Sequence, residues 1–135
     1  MQFVDTNVLL YAVSRDRTES AKRRVAEELL QRRDLALSVQ VLQEFYVQAT
    51  RATREDALTH PQAVALVESF ARYPVQDNTR ELLFNAMAAK DRFGISYWDA
   101  AIVEAARLLG CDQVLSEDLS DGQDYAGVVM RDPFA

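Results

Sequence analysis

Four acidic side chains occupy sequence contexts that a surface charge does not need, and they are Asp5, Glu44, Asp99 and Asp118. Asp5 closes the apolar pair Phe3-Val4, and Asp99 lies inside the largely apolar stretch 95–102. Carboxylates from separate elements can converge to hold Mg²⁺ or Mn²⁺, and such an ion polarises a phosphoryl oxygen and lowers the pKa of water. The pattern predicts a metal-dependent phosphodiesterase site.

Each of these acids also has a plain structural interpretation, which for Asp118 is a solvated acidic turn. Asp5 can cap a helix that begins near Thr6, and Asp99 can complete a capping box with Ser96. Glu44 can be an ordinary surface residue of a helix, although its apolar neighbours favour a partly buried position, where a carboxylate needs a partner. The sequence leaves both interpretations open for each residue.

The fourth acid belongs to an acidic loop that offers three candidates. Asp118 has Glu117 beside it and Asp121 three residues on, and either could take its place after a small shift of the loop. Like charges about 5 Å apart repel by roughly 3 kcal/mol at an effective dielectric near 20, so a cluster of acids would bind protons or a cation. A divalent ion would relieve that repulsion.

Short apolar runs alternate with helical patterns along the chain. Period and composition predict strands at 3–4, 35–38, 73–76, 114–116 and 128–130. Helices are predicted at 8–13, 18–33, from residue 39 to about 49, from 61 to about 70, from about 79 to 94, and from 97 to about 110. This alternation predicts an α/β protein with a mostly parallel sheet that is covered by helices on both faces.

Polar residues predict where the helices begin and end. Thr18 and Ser38 are predicted N-caps, and Asn78 with Glu81 resembles a capping box, whereas Gly94 is a natural stop. In parallel sheets, ligands bind beyond the carboxyl ends of the strands. Asp5 and Asp118 each follow a predicted strand, so we expect them at the same edge of the sheet.

Length and composition fit one domain over residues 1–135, with 49% hydrophobic residues and no need of disulfides. The single cysteine, Cys111, is expected to be a small buried hydrophobic residue. The amino terminus lacks the basic start and apolar run of a signal peptide, and no stretch approaches membrane-spanning length. We therefore expect a cytoplasmic protein with no membrane partner.

The net charge of −6 opposes nucleic-acid binding, which Lys and Arg drive by neutralising phosphates. The distribution of charge is uneven, because seven of the 15 basic residues lie in one stretch. They are Arg15, Arg17, Lys22, Arg23, Arg24, Arg32 and Arg33. This run is either a local basic surface or a solvated helix face balanced by nearby glutamates.

Other catalytic chemistries find little support. His60 is the only histidine, and it precedes Pro61 at a predicted helix start, away from any Ser or Cys nucleophile. The four glycines form no phosphate-cradling motif. An aspartyl phosphatase would need a second aspartate where Asn7 stands.

Four separated segments together resemble the motifs of PIN-domain ribonucleases, and the single-domain length is similar to that of VapC toxins of toxin–antitoxin modules. The segments are 3–10, 38–46, 95–102 and 114–118. The resemblance implies a three-layer α/β/α sandwich, a homodimer, Mg²⁺ or Mn²⁺, endonucleolytic cleavage of RNA, and a cognate antitoxin that covers the acidic cleft.

The resemblance also implies roles for individual residues. Asp5 and Asp99 match the principal metal ligands, Glu44 a third acid, and Asp118 a fourth acid that helps to place a second ion or the attacking water. Asn7 and Ser116 match polar residues that orient these acids. Two alternatives remain open, namely a PIN nuclease for RNA processing or DNA structures without an antitoxin, and a catalytically silent α/β binding module.

Overall fold

The computed structural model describes residues 1–135 and contains six strands, β1 (Gln2–Val4), β2 (Leu35–Ser38), β3 (Val75–Gln76), β4 (Gln113–Leu115), β5 (Asp124–Tyr125) and β6 (Val128–Arg131). They form one sheet in the order β3-β2-β1-β4-β6-β5. Neighbouring strands are parallel except β5, which runs antiparallel to β6. Since β1 and β4 are parallel neighbours, the residues that follow them meet at one edge.

Six α-helices accompany the sheet: α1 (Thr6–Val13), α2 (Ser20–Leu29), α3 (Val39–Ala49), α4 (His60–Phe70), α5 (Arg80–Phe93) and α6 (Tyr97–Leu108). α1 packs on α2 and α3, and α3 packs on α4, whereas α5 packs on α6, which also contacts four of the strands. The architecture is the predicted three-layer α/β/α sandwich around a mostly parallel sheet. None of the helices is long and apolar enough to span a membrane.

The central strands are buried, as near-continuous apolar runs in a covered parallel sheet should be. Phe3, Leu35 and Val114 lie fully inside one hydrophobic core, to which Phe45 of α3 also belongs. Cys111 is buried there as expected. The five strands predicted from the sequence are present, so the apolar pattern located the core correctly.

The sequence did not predict β5. This two-residue strand pairs with β6 through a tight turn in which Ala126 and Gly127 both have positive φ. The side chain of Asp124 accepts a hydrogen bond from the backbone N–H of Gly127 at 2.7 Å and closes the turn. A strand of two residues is too short to show an apolar period.

Two of the predicted helix ends are correct. Ser38 caps α3 by accepting a hydrogen bond from the N–H of Val41, and Gly94 ends α5 in the left-handed conformation with φ of 65°. The prediction for Thr18 was wrong, because Asp16 caps a short 3-10 turn there. α2 then runs only from Ser20 to Leu29 and stops short of residue 33.

The predicted cap at Asn78 was wrong by one residue. Thr79 accepts the hydrogen bond from the N–H of Leu82, while the Asn78 side chain donates to the Oε1 atom of Gln43 at 3.2 Å. Either residue type can cap a helix. The tertiary contact with α3 decides between them.

We expect Thr79→Ala to lower the free energy of unfolding by about 1 kcal/mol, because the first turn of α5 loses a bond to an otherwise unsatisfied N–H group. The matched variant Asn78→Ala should cost less than about 0.5 kcal/mol, since it removes only an exposed side-chain contact. Urea denaturation of the two variants measures the difference. Equal costs would contradict the assignment of the cap.

Candidate active site

Asp5 lies at the junction of β1 and α1. Its backbone N–H continues the ladder to the carbonyl of Leu115, and its Oδ1 accepts a hydrogen bond from the N–H of Thr6 at 2.8 Å, which caps α1. Its Oδ2 accepts from the hydroxyl of Ser116 at 2.8 Å. The capping interpretation is therefore correct, and the same buried carboxylate is fixed at the edge of the sheet.

Burial is the main cause that raises the pKa of Asp5, to about 6 from an ordinary value of 3.8. The hydrogen bonds from Ser116 and Thr6 oppose the shift, and the negative charges of Glu44 and Asp118 add to it. The ionised carboxylate is thus held in a place that disfavours its charge. A nearby cation would compensate for that cost.

Glu44 projects from α3 toward the same place. Its Oε2 accepts a hydrogen bond from the hydroxyl of Thr6 at 2.8 Å, and its Oε1 accepts from the side-chain amide of Gln40 at 3.1 Å. Both partners are uncharged. The half-buried Glu44 carboxylate is therefore held in one orientation without being neutralised.

Asp99 lies in the first turn of α6. Its N–H donates to the hydroxyl of Ser96 at 3.1 Å, which caps the helix. The reciprocal bond of a capping box, in which the Asp99 carboxylate would accept from the N–H of Ser96, is not formed. The half-buried carboxylate has no hydrogen-bond partner within the chain, so helix capping does not explain why an acidic residue occupies this position.

Asn7 and Ser116 connect the two strand ends. The amide of Asn7 donates to the Ser116 hydroxyl at 2.9 Å and to Oδ2 of Asp118 at 3.2 Å, and its Oδ1 accepts from the N–H of Glu117 at 3.3 Å. The Ser116 hydroxyl also accepts from the N–H of Asp118 at 3.1 Å. These contacts have the geometry of the orienting role that the resemblance implied.

Among the three candidates for the fourth acid, only Asp118 faces the other carboxylates. Glu117 forms an ion pair with Lys22, with 2.8 Å between Oε2 and Nζ. The carboxylate of Asp121 accepts from the N–H of Asp132 at 2.9 Å. The loop thus directs its neighbouring acids to other partners and leaves Asp118 at the site.

One cavity of about 150 Å³ brings the four acids together. No Lys, Arg or His side chain lines it, and the remaining walls come from Thr6, Asn7, Leu10, Gln40, Gln48, Trp98 and Ile102. No three acids are already arranged as the ligands of a metal ion. The cavity therefore combines several negative charges with no cation of its own.

Two of these wall residues carry signals that the sequence analysis did not use. Gln40 precedes Glu44 by four residues, which places both on one face of α3. Trp98 immediately precedes Asp99 and is exposed despite its large apolar ring. The amide–acid spacing of four residues would have indicated Gln40, and the aromatic residue beside a candidate acid would have indicated Trp98.

The basic stretch lies elsewhere, because none of its seven residues lines the acidic cavity. Lys22, Arg23 and Arg32 each pair with an acid, namely Glu117, Glu27 and Asp34. This arrangement favours the interpretation as a solvated, charge-balanced surface. His60 is exposed and contacts the hydroxyl of Tyr46, as expected for a surface residue.

Solved structures share this fold at low sequence identity. A chain of a toxin–antitoxin complex from Klebsiella pneumoniae matches with a TM-score of 0.70 and 18% identity, over 98% of each chain. VapC20 of Mycobacterium tuberculosis, described as a Sarcin-Ricin loop cleaving toxin, matches with a TM-score of 0.67 and 21% identity, over 87% of this chain and 92% of that one. FitAcB from Neisseria gonorrhoeae has a TM-score of 0.64 and 16% identity, over 99% of each chain.

Comparison of the sequence identifies the family but no individual relative. No curated protein sequence matches the chain. The family model described as the PIN domain matches residues 3–120, which include all four acids of the cavity and the polar residues between them. The chain belongs to the PIN-domain family.

Proposed function

We propose that the protein is a metal-dependent endoribonuclease and the toxin of a toxin–antitoxin pair. The observation that carries the proposal is the cavity in which Asp5, Glu44, Asp99 and Asp118 meet without a basic side chain. Helix capping and surface solvation would not require four acids from separate elements to converge. Binding of a divalent cation, which would compensate for their negative charges, would explain why the four acids converge.

The residues present fit Mg²⁺ or Mn²⁺, because every charged group of the cavity is a hard carboxylate donor. Asp5 and Asp99 would be the principal ligands, and Glu44 and Asp118 would complete the acidic set. Asp99 has no competing hydrogen bond, and Asp118 is exposed, so both can turn toward an ion. The bound ion would polarise the scissile phosphoryl group and lower the pKa of the attacking water.

The chain itself supplies orientation. Ser116 and the N–H of Thr6 hold the two oxygens of Asp5, while the Thr6 hydroxyl also holds Glu44. Asp118 lies at the exposed side, where its carboxylate would accept a proton or position the attacking water. Asp5 and Glu44 would thus be held in place as ligands of the cation, and the exposed Asp118 would serve the incoming nucleophile.

The toxin assignment draws its support from fold similarity. Chains with this fold occur in toxin–antitoxin complexes, and VapC20 is described as cleaving the Sarcin-Ricin loop. A cognate antitoxin would place basic groups over the acidic cavity, since charge-assisted hydrogen bonds to carboxylates are strong. Co-purification with the product of an adjacent small reading frame would favour a toxin over a PIN nuclease that works without an antitoxin.

We also propose a homodimer, supported by the exposed side chains Leu83, Phe84 and Met87 on one face of α5. Apolar side chains that recur at three- and four-residue spacing form a stripe that a second copy can cover. Sedimentation of the protein and of Phe84→Ala tests this assignment. A wild-type monomer at micromolar concentration would contradict it.

Purified protein should cut single-stranded RNA in Mg²⁺ or Mn²⁺ and stop when EDTA is added. Mapping of 5′ ends after brief expression in cells would then show internal cuts in cellular RNA. Undiminished cleavage in EDTA would contradict the proposed metal dependence. Absence of cleavage with either metal would contradict the ribonuclease assignment.

Ser116→Ala should lower RNA-cleaving activity by roughly 10- to 100-fold, because residues that orient metal ligands contribute at this scale. The change removes the donor to Asp5 and the acceptor for Asn7. The matched control is Ser14→Ala, which removes another buried serine hydroxyl, bonded to Glu19 and outside the cavity. Turnover and melting are measured together, and an equal loss of activity in both variants would contradict the orienting role.

A further inference from the structure

Trp98 is the most exposed large apolar side chain of the protein, at 64% of its full accessibility. It lines the acidic cavity on one side and a second cavity of about 440 Å³ on the other. The amide of Gln40 lies near the Trp98 carbonyl at 3.4 Å and also donates to Glu44. The backbone of Trp98 is thus linked to the acidic site through Gln40, while most of the side chain remains in solvent.

The second cavity has polar groups that remain available. The amide of Asn78 donates to Oε1 of Gln43, which leaves the Gln43 amide nitrogen and the Asn78 Oδ1 without partners in the chain. One free donor and one free acceptor therefore lie side by side in the same wall. Arg80 is the only charged residue in the lining and forms no ion pair within the chain.

This combination matches the chemistry of an unpaired nucleobase. A base can stack on an aromatic ring, and its hydrogen-bonding edge presents adjacent donors and acceptors. A cation nearby attracts the backbone phosphate. The volume also lies within the range of small-ligand sites.

We propose that Trp98, Gln43 and Asn78 form a subsite for one unpaired base of the RNA, beside the acidic cavity at which the scissile phosphodiester would lie. Trp98 stacks on the base, the two amides read its edge, and Arg80 attracts the adjoining phosphate. The inference rests on the proposed ribonuclease function and names its substrate as single-stranded RNA. It makes Trp98 a residue that determines binding and specificity.

A second copy of the chain is the competing occupant, because Leu83 of the exposed α5 stripe also lines the second cavity. Replacement of Phe84 can distinguish an RNA base from a second copy of the chain as the occupant of this cavity. Phe84 is exposed at 59% but does not line the second cavity. Its replacement should disturb contacts between copies and leave base binding unchanged.

Fluorescence tests the subsite directly, since Trp98 is the only tryptophan of the chain. The Asp5→Asn protein in Mg²⁺ is titrated with single-stranded octaribonucleotides, and this variant is used to prevent cleavage. We expect saturable quenching of Trp98 emission that is lost when one position of the octamer is abasic. The Phe84→Ala variant in the same background should show the same quenching at a given concentration of protomers.

Kinetics gives the second readout. Trp98→Ala in the otherwise unchanged protein should raise KM for a short single-stranded RNA roughly ten-fold, as loss of one stacked base predicts, with a smaller change in kcat. Trp98→Phe should recover most of the loss because it keeps an aromatic face. Asn78→Ala should change the base preference of the cleavage sites.

Absence of quenching, or quenching that an abasic position does not alter, would overturn the subsite. An unchanged KM in Trp98→Ala would also overturn the subsite. The ribonuclease proposal would stand in that case if cleavage were still stopped by EDTA. Two results together would assign Trp98 to contacts between copies of the chain. The first is Trp98 emission that changes with protein concentration, and the second is a change in sedimentation caused by Trp98→Ala and equally by Phe84→Ala. Base-dependent quenching without cleavage by the wild-type protein would keep the subsite and reject the ribonuclease.

Discussion

Asp5→Asn and Asp99→Asn should each lower kcat for RNA cleavage by about a thousand-fold or more. Each substitution removes one negative charge and one strong oxygen ligand from a cavity that has no basic residue to compensate for the remaining acids. The fold should survive in both cases, because the side chains keep nearly the same size. Turnover of a fluorescent RNA at saturating Mn²⁺ measures the effect.

The two variants should differ in stability. Asp5 is buried and its raised pKa indicates that its charge opposes folding, so Asp5→Asn should be at least as stable as the wild type without metal at pH 7.5. The asparagine Oδ1 can still accept from the N–H of Thr6. Asp99 is half-buried and its carboxylate makes no hydrogen bond within the chain, so Asp99→Asn should change stability by less than about 0.5 kcal/mol.

Asp112→Asn is the matched control. This exposed aspartate precedes β4, at the end of the strand opposite to Asp118, and it lies outside the cavity. Its replacement removes the same charge and should leave turnover unchanged. Undiminished turnover in the Asp5 and Asp99 variants would remove the basis of the proposed mechanism, and an equal loss in Asp112→Asn would show that total charge matters rather than the site.

The sequence indicated that Asp5 and Asp118 lie close together because each follows a short apolar strand, and both line one cavity in the structure. Phe3-Val4 and the run before Ser116 were predicted as strands, and in the structure they are parallel neighbours, which places their carboxyl ends together. Glu44 and Asp99 were found from their apolar surroundings on two helices. For these residues, the local apolar pattern and the position of ligand sites beyond the carboxyl ends of parallel strands were sufficient to predict their placement.

Residues whose role depends on distant partners could not be found in this way. Nothing near Glu117 indicates that Lys22, far away in the chain, would engage it and leave Asp118 for the cavity. Asn78 and Thr79 have similar capping chemistry, and only the contact of Asn78 with Gln43 separates them. Such competitions between neighbouring polar groups are decided by tertiary packing, which a local pattern does not contain.

Melting without metal should reveal the cost of the Asp5 charge as a pH dependence. Asp5 has an ordinary pKa of 3.8, which applies to the unfolded chain, and a pKa of about 6 in the fold. The folded protein therefore binds more protons between these values, so its stability falls as pH rises from about 4 to about 6. Two pKa units correspond to a loss on the order of 3 kcal/mol. The difference between wild type and Asp5→Asn isolates this contribution from the other titrating groups.

Addition of Mn²⁺ should reverse that loss. The ion competes with the proton at Asp5, so its affinity should increase over the same pH range and reach its full value above about pH 6. At a hundred times the dissociation constant, binding would stabilise the fold by about 2.7 kcal/mol. Melting at pH 7.5 with Mn²⁺ or EDTA should therefore give a clear upward shift, with a smaller one at pH 5 and in Asp99→Asn. Absence of any shift at millimolar Mn²⁺ would favour a catalytically silent binding module, because four acids that gain nothing from a cation would be only caps and surface charges.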